Sequence, residues 1–135
     1  MADDRTTLAD LRRRVAAFVA ARDWQPYHTP RNLSVAIAIE AAELLEHFQW
    51  LDDAQAAQVL QDPQELAAVA DELADVLIYA LSLANALDID VSAAVLGKLA
   101  RNERRFPVEE WRGRRMRVRE HSVSSQMIIA PKGLR

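Results

Sequence analysis

From Leu8 onward the apolar positions Leu8, Leu11, Val15, Phe18 and Val19 recur at the three-and-four spacing of one helix face. Thr7 followed three residues on by Asp10 has the form of a capping box, so the pattern predicts a first helix over about residues 8–22. The stretch "RDWQPYHTPRN" interrupts it, because Pro26 and Pro30 cannot lie inside a helix. Thr29 and Pro30 suit the cap and first position of the next one. That second helix is predicted over about residues 33–50, with a stripe of Leu33, Ile37, Leu44, Phe48 and Leu51. "LDDAQAAQVLQ" reads as a short helical connector. Asp62 as cap, Pro63 at the first position and Glu65 three residues after the cap open the longest helix, about 63–87. From Leu73 to Leu87 this helix is apolar nearly all round, which calls for burial on several sides. A chain this small could hardly cover it alone, so the pattern predicts an oligomer. Asp90 then caps a last helix with Val91, Val95 and Leu99 on its apolar side, and Pro107 ends it. Beyond it no helical period is sustained. "RMRVRE" alternates as a strand would and "SQMIIAP" is a second short apolar run, but residues 113–135 are read as an irregular, partly disordered basic tail behind one domain spanning 1–112.

Composition narrows this all-α reading without changing it. The chain has 135 residues, 50% hydrophobic and 27% charged, with three glycines; this suits a soluble helical domain better than a turn-rich β fold. It has no cysteine, which removes disulfides and thiolate metal sites and agrees with a reducing, cytoplasmic setting. "MADDRTTLAD" is acidic and lacks an apolar segment, so no secretory signal is expected, and no apolar run is long enough to span a bilayer. Charge is uneven. Residues 1–100 carry 16 acids and 7 Lys or Arg, a balance of −9, while residues 101–135 carry 4 acids and 10 bases, a balance of +6. A basic end of this kind either stays solvated or meets phosphate groups.

Two acidic pairs carry the candidate chemistry. Glu40 and Glu43 stand one turn apart on the second helix, Glu72 and Asp75 one turn apart on the long one. Both pairs lie on or beside faces that should be buried. Four carboxylates facing one another cannot all stay ionised without a compensating cation. A hard divalent ion with oxygen ligands answers that, Mg²⁺ being the abundant choice and one that often shares its coordination with substrate phosphates; Mn²⁺ is a possible substitute. A single such pair is usually a solvated face; two pairs on separate apolar helices are not. A di-iron bundle would need Glu-x-x-His motifs, and His47 follows Glu43 by four residues rather than three.

The segments "RDWQPYHTPRNL", "EAAELLEHFQW", "ELADVLIYALSLA" and "KLARNERRFPV" resemble the MazG-like all-α nucleotide pyrophosphohydrolases, and within them the dCTP pyrophosphatase branch, over about residues 8–113. The resemblance implies a four-helix-bundle-type fold, assembled as a dimer or tetramer with sites between subunits. It implies cleavage of nucleoside triphosphates to the monophosphate and pyrophosphate, with dCTP or a related pyrimidine deoxynucleotide preferred. It casts Glu40, Glu43, Glu72 and Asp75 as metal ligands, and Lys98 and Asn102 as holders of the phosphates. Trp24, His28, Trp50 and Tyr79 would enclose base and sugar. Glu43, Glu72 and Lys98 are the residues expected to act in catalysis, Glu43 as the base. The tail after "FPVEEWRGR" departs from the family's pattern and is given no part in the site.

Each of these residues has a plainer reading. Trp24 could simply cover the core, His28 could be a turn residue and Trp50 a helix-end anchor. Tyr79 would by default be core, Lys98 solvated and Asn102 a helix C-terminal residue. Arg31 could serve phosphates or pair with an acid. Glu46 is more plausibly exposed, and His47 a structural partner. Two other classes stay open at this point: a non-catalytic helical interaction protein whose acids pair with arginines, and a nucleic-acid binder working through the Arg-rich end. With the resemblance taken into account, neither a nucleic-acid nor a membrane partner is expected.

Overall fold

A computed structural model describes residues 1–114, which are predominantly helical and contain no strand. Six α-helices follow in order: α1 (Leu8–Ala20), α2 (Pro30–Glu46), α3 (Asp53–Gln58), α4 (Pro63–Ala86), α5 (Val91–Arg105) and α6 (Val108–Trp111). The described chain divides into two compact units, Met1–Ala94 and the part from Val95 onward.

In the first unit the helix starts are fixed where the sequence places caps. The Asp10 backbone N–H donates to Thr7 Oγ1 at 3.1 Å, and the Asp10 carboxylate accepts from the Thr7 backbone N–H at 2.9 Å and hydroxyl at 2.7 Å. The Thr7 hydroxyl, then the Thr7 backbone N–H, hold the Asp10 carboxyl below its ordinary value. Thr29 accepts from the Asn32 N–H ahead of Pro30, and Asp62 accepts from Gln64 and Glu65 ahead of Pro63. Asp52 makes a reciprocal capping box with Gln55 at α3. At α5 the Ala93 N–H donates to Asp90 Oδ1 at 2.9 Å. The far ends are less regular. α2 stops at Glu46, four residues before the predicted Trp50, and residues 47–50 form a turn instead. Asp88 closes α4 in the left-handed region, with φ at 50°.

Packing in this unit centres on α4, which meets α2 most extensively and α1 to a lesser degree. The buried apolar residues of the unit are Val19, Leu33, Leu81 and Ala84, with Ser82 also buried. Arg12 ties α1 to the end of α4. It donates to Asn85 Oδ1 at 2.9 Å and to the Ile89 carbonyl at 2.8 Å, and Asn85 returns a bond to the Arg12 carbonyl at 3.1 Å. Arg12 Nη2 also donates to the Ala84 carbonyl at 3.4 Å, in the last turn of α4, where a helix leaves its carbonyls without intrahelical donors.

The burial on several sides that Leu73–Leu87 calls for is not supplied by the described residues alone, in keeping with the expectation that a chain this small could hardly cover it. Leu73 is 48% exposed, Leu77 53% and Ile78 41%, because among the described residues α1 and α2 cover one face of α4 and leave these side chains open. On α2, Val35 and Ile39 are likewise half-exposed.

In the second unit α5 runs on to Arg105. Phe106 and Trp111 then meet edge to face at 5.0 Å, and the Arg105 guanidinium lies 5.2 Å from the Phe106 ring. Pro107 ends α5 as expected but also opens α6, a single turn that the pattern did not suggest. The candidate strands "RMRVRE" and "SQMIIAP" lie outside the described residues.

Candidate metal centre and aromatic wall

Glu40 and Glu43 are brought to Glu72 by the α2–α4 packing. One carboxylate oxygen from each of the three lies within 4.8 Å of the others. Helical spacing explains the contribution of α2, since residues three apart share a face. Glu40 and Glu72 are half-buried and Glu43 is exposed, so the cluster has a buried floor and an open side. Glu72 Oε2 is buried and has no hydrogen-bond partner. Burial raises the Glu40 carboxyl above its ordinary value of 4.5, and the charges of Glu43, Asp75 and Glu72 push it the same way. Asp75 thus stands near enough to be felt by Glu40, but it does not share the tight cluster of the other three and is exposed. Among the described residues no Arg or Lys pairs with any of these four acids; Arg13 pairs instead with Asp10. His47 Nδ1, at the end of α2, lies 3.9 Å from Glu65 Oε2 on α4. An oxygen-only donor set with one buried, unpartnered carboxylate oxygen fits a hard divalent cation.

A second grouping lies where α1 gives way to α2. A 3₁₀ turn at Gln25–Tyr27 orders the interrupting stretch, and Asn32 Nδ2 fastens it by donating to the Tyr27 carbonyl at 3.0 Å. The turn stacks His28 on Trp24, with ring centres 6.4 Å apart and planes 23° from parallel. His28 Nδ1 is buried and unpartnered. Phe18 meets Trp24 edge-on at 5.8 Å, and the Arg22 guanidinium lies 3.7 Å from the Phe18 ring centre. Arg22 and Phe18 were not among the predicted site residues; their i,i+4 spacing, ending on the Arg of "RDW", is the signal that could have found them.

Trp50 follows α2 and is 86% exposed. Tyr79 is half-buried on α4, one turn after Asp75. Lys98, exposed, and Asn102, half-buried, stand one turn apart on α5 in the second unit.

Helices that bring carboxylates from two of their number together form an oxygen-donor cluster that could hold a metal ion. The chain belongs to the MazG-like family, whose model matches residues 35–120. It is 46% identical over 107 residues to dCTP pyrophosphatase 1 of Rattus norvegicus, an alignment covering 79% of this chain and 63% of that protein. It is 46% identical over 101 residues to the Homo sapiens protein of the same name, covering 75% and 59% respectively. The chain thus spans less than two thirds of the length of these relatives. A crystal structure of a pyrophosphatase from Archaeoglobus fulgidus is similar in fold, with a TM-score of 0.65, 44% identity, and coverage of 69% of this chain and 85% of that one.

Proposed function

We propose that the protein is a Mg²⁺-dependent nucleoside triphosphate pyrophosphohydrolase that prefers dCTP or a related pyrimidine deoxynucleotide and serves to clear the cytoplasmic nucleotide pool. The observation that carries this reading is the Glu40–Glu43–Glu72 cluster, with its unpartnered buried oxygen. The similarity to proteins named dCTP pyrophosphatase 1 supports the substrate class.

Glu40, Glu43 and Glu72, with Asp75 beside them, would hold the metal. When bound, it would neutralise charge on the phosphates and acidify water at the site. Water attacks the α-phosphorus and pyrophosphate leaves. Glu43, on the open side of the cluster, takes the proton from the attacking water. Glu72 fixes the buried floor against which the carboxylates are arranged. Lys98 and Asn102 hold the phosphate oxygens, Lys98 stabilising the charge that develops on them. Trp24 and His28 form one wall for the base, and Trp50 and Tyr79 complete the enclosure. Stacking holds any base, so selection among bases falls to polar groups left unpaired by the wrong one, and the free Nδ1 of His28 is such a group.

The open apolar faces of α2 and α4 support assembly as a homodimer or homotetramer. No helix among the described residues is long and apolar enough to cross a membrane. The Arg-rich segment from Arg115 lies outside the described residues, and nothing observed favours a nucleic-acid partner. The acids' lack of arginine partners among the described residues weighs against a purely structural role for them.

A turnover screen over the common NTPs and dNTPs, with and without Mg²⁺, tests the reading. The expected products are the nucleoside monophosphate and pyrophosphate, with the highest kcat/KM for dCTP. A purine nucleotide as best substrate would overturn the pyrimidine preference, and release of orthophosphate alone would overturn the reaction class.

A further inference from the structure

Behind the Trp24–His28 wall stands a short relay whose members carry no role in the reading above. Arg22 is held at two points. Its Nη1 donates to the Phe18 carbonyl at 3.0 Å, and its guanidinium carbon lies 3.7 Å from the Phe18 ring centre and 5.8 Å from that of Trp24. Phe18 in turn presents an edge contact to Trp24, at 5.8 Å and 74°, and Trp24 stacks on His28. The backbone is bent to allow this. Asp23 takes φ at 50°, and the Trp24 N–H returns to the carbonyl of Val19, a buried core residue. The main chain of the wall is therefore anchored, but its rings are not. Phe18 is 48% exposed and Trp24 43%, so burial alone leaves their rotamers weakly fixed. A guanidinium stacked over one ring and close to the next limits that freedom.

We propose that Arg22, acting through Phe18, is a positioning residue that holds the Trp24–His28 wall ready for the base. This rests on the reading of Trp24 and His28 as base-enclosing residues. An exposed cation–π contact shifts a conformational equilibrium about two- to fivefold. Apparent affinity falls in proportion to the fraction of molecules holding the competent arrangement, so the loss of Arg22 shows as a KM effect of about that size.

The test is steady-state kinetics of the full chain with dCTP, together with inhibition by pyrophosphate, which has no base. Arg22→Met, which keeps the aliphatic stem, is expected to raise KM about two- to fivefold with kcat within about twofold. Arg22→Lys restores most of the loss. Pyrophosphate inhibition stays at the wild-type level, and Phe18→Leu added to Arg22→Met gives no further KM increase beyond the larger single effect. Trp24→Ala separates the two levels of the argument. If it raises KM while Arg22→Met does not, the positioning role is refuted and the wall stands. If it leaves KM unchanged, the wall fails and the proposal with it; a wild-type chain that does not turn over dCTP sinks both. Pyrophosphate inhibition weakened in step with KM would put Arg22 on the phosphates, and additive effects of the Phe18 and Arg22 changes would show that it does not act through Phe18; either overturns the proposal.

Discussion

Replacing Glu40 by Gln should reverse the order of stability between metal-free and metal-loaded protein. Glu40 shares the cluster with Glu43 and Glu72, with oxygens no more than 4.8 Å apart, so in the absence of metal it takes part in two close repulsions. At that separation a pair of unit charges costs slightly under about 1 kcal/mol even in water-like surroundings. Glu43 is exposed, and salt weakens its share. A net gain of about 1 kcal/mol from the neutral, nearly isosteric amide is therefore expected, an increase in Tm of about 4 °C in EDTA. Metal changes the sign. A cation bound only by the native state adds about 2.7 kcal/mol when present at about 100 times its dissociation constant, and Glu40→Gln gives up most of that by losing a ligand. Thermal unfolding followed by circular dichroism, at one protein concentration, with EDTA, Mg²⁺ or Mn²⁺, reads both halves. The wild type should melt below the variant in EDTA and above it in metal. The variant melting lower in EDTA, or an equal metal increment for both proteins, would refute the cluster as a metal site.

The same variant gives a pH test whose sign follows from the raised Glu40 carboxyl. A carboxyl raised in the folded state destabilises the fold when ionised. That cost is fully present above the folded-state value, is relieved as pH falls through it, and is gone below the unfolded value near 4.5. In EDTA the stability advantage of Glu40→Gln over the wild type should thus shrink as pH is lowered from 7 towards 4.5. An advantage that grows over that range would contradict the repulsion argument.

Other expectations follow from single features. Leu33 is 2% exposed, so Leu33→Ala should cost about 2–5 kcal/mol in urea unfolding. Arg12→Ala removes the charged clasp on Asn85 and Ile89 and should cost about 2 kcal/mol, whereas Arg13→Ala, an exposed partner of Asp10, should stay within about 0.5 kcal/mol. Asp88→Gly relieves a left-handed residue at the end of α4 and should leave the protein as stable or more stable by up to about 1 kcal/mol in the same assay. Trp50→Ala should act on KM more than on kcat if the indole stacks equally on substrate and transition state, and a loss confined to kcat would instead connect Trp50 with phosphate positioning.

The legible parts of this chain are those governed by local chemistry. Thr7, Thr29, Asp62 and Asp90 lie at helix starts because a side-chain oxygen followed by free backbone N–H groups needs no tertiary partner to be recognised. The acidic pairs were legible for a related reason: a carboxylate on an apolar face conflicts with its setting, and the conflict is visible along one helix. What pairwise spacing could not rank was the fourth acid. Glu40, Glu43 and Glu72 meet closely because α2 and α4 pack face to face, while Asp75, at the same spacing from Glu72 as Glu43 from Glu40, lies outside the tight cluster. The end of α2 was misjudged because Phe48 continues the stripe in sequence, yet the chain turns after Glu46 and no local breaker marks the place. The long apolar run of α4 was legible as a demand for burial that a small chain could hardly meet alone. Its pattern reports the burial a helix requires, not which chain provides it, and Leu73, Leu77 and Ile78 stay half-exposed against α1 and α2 alone. The carboxylates project from these same two helices. A partner that covers the open faces of α2 and α4 would therefore also stiffen the frame that sets the spacing of Glu40, Glu43 and Glu72, so that assembly and metal affinity should rise and fall together.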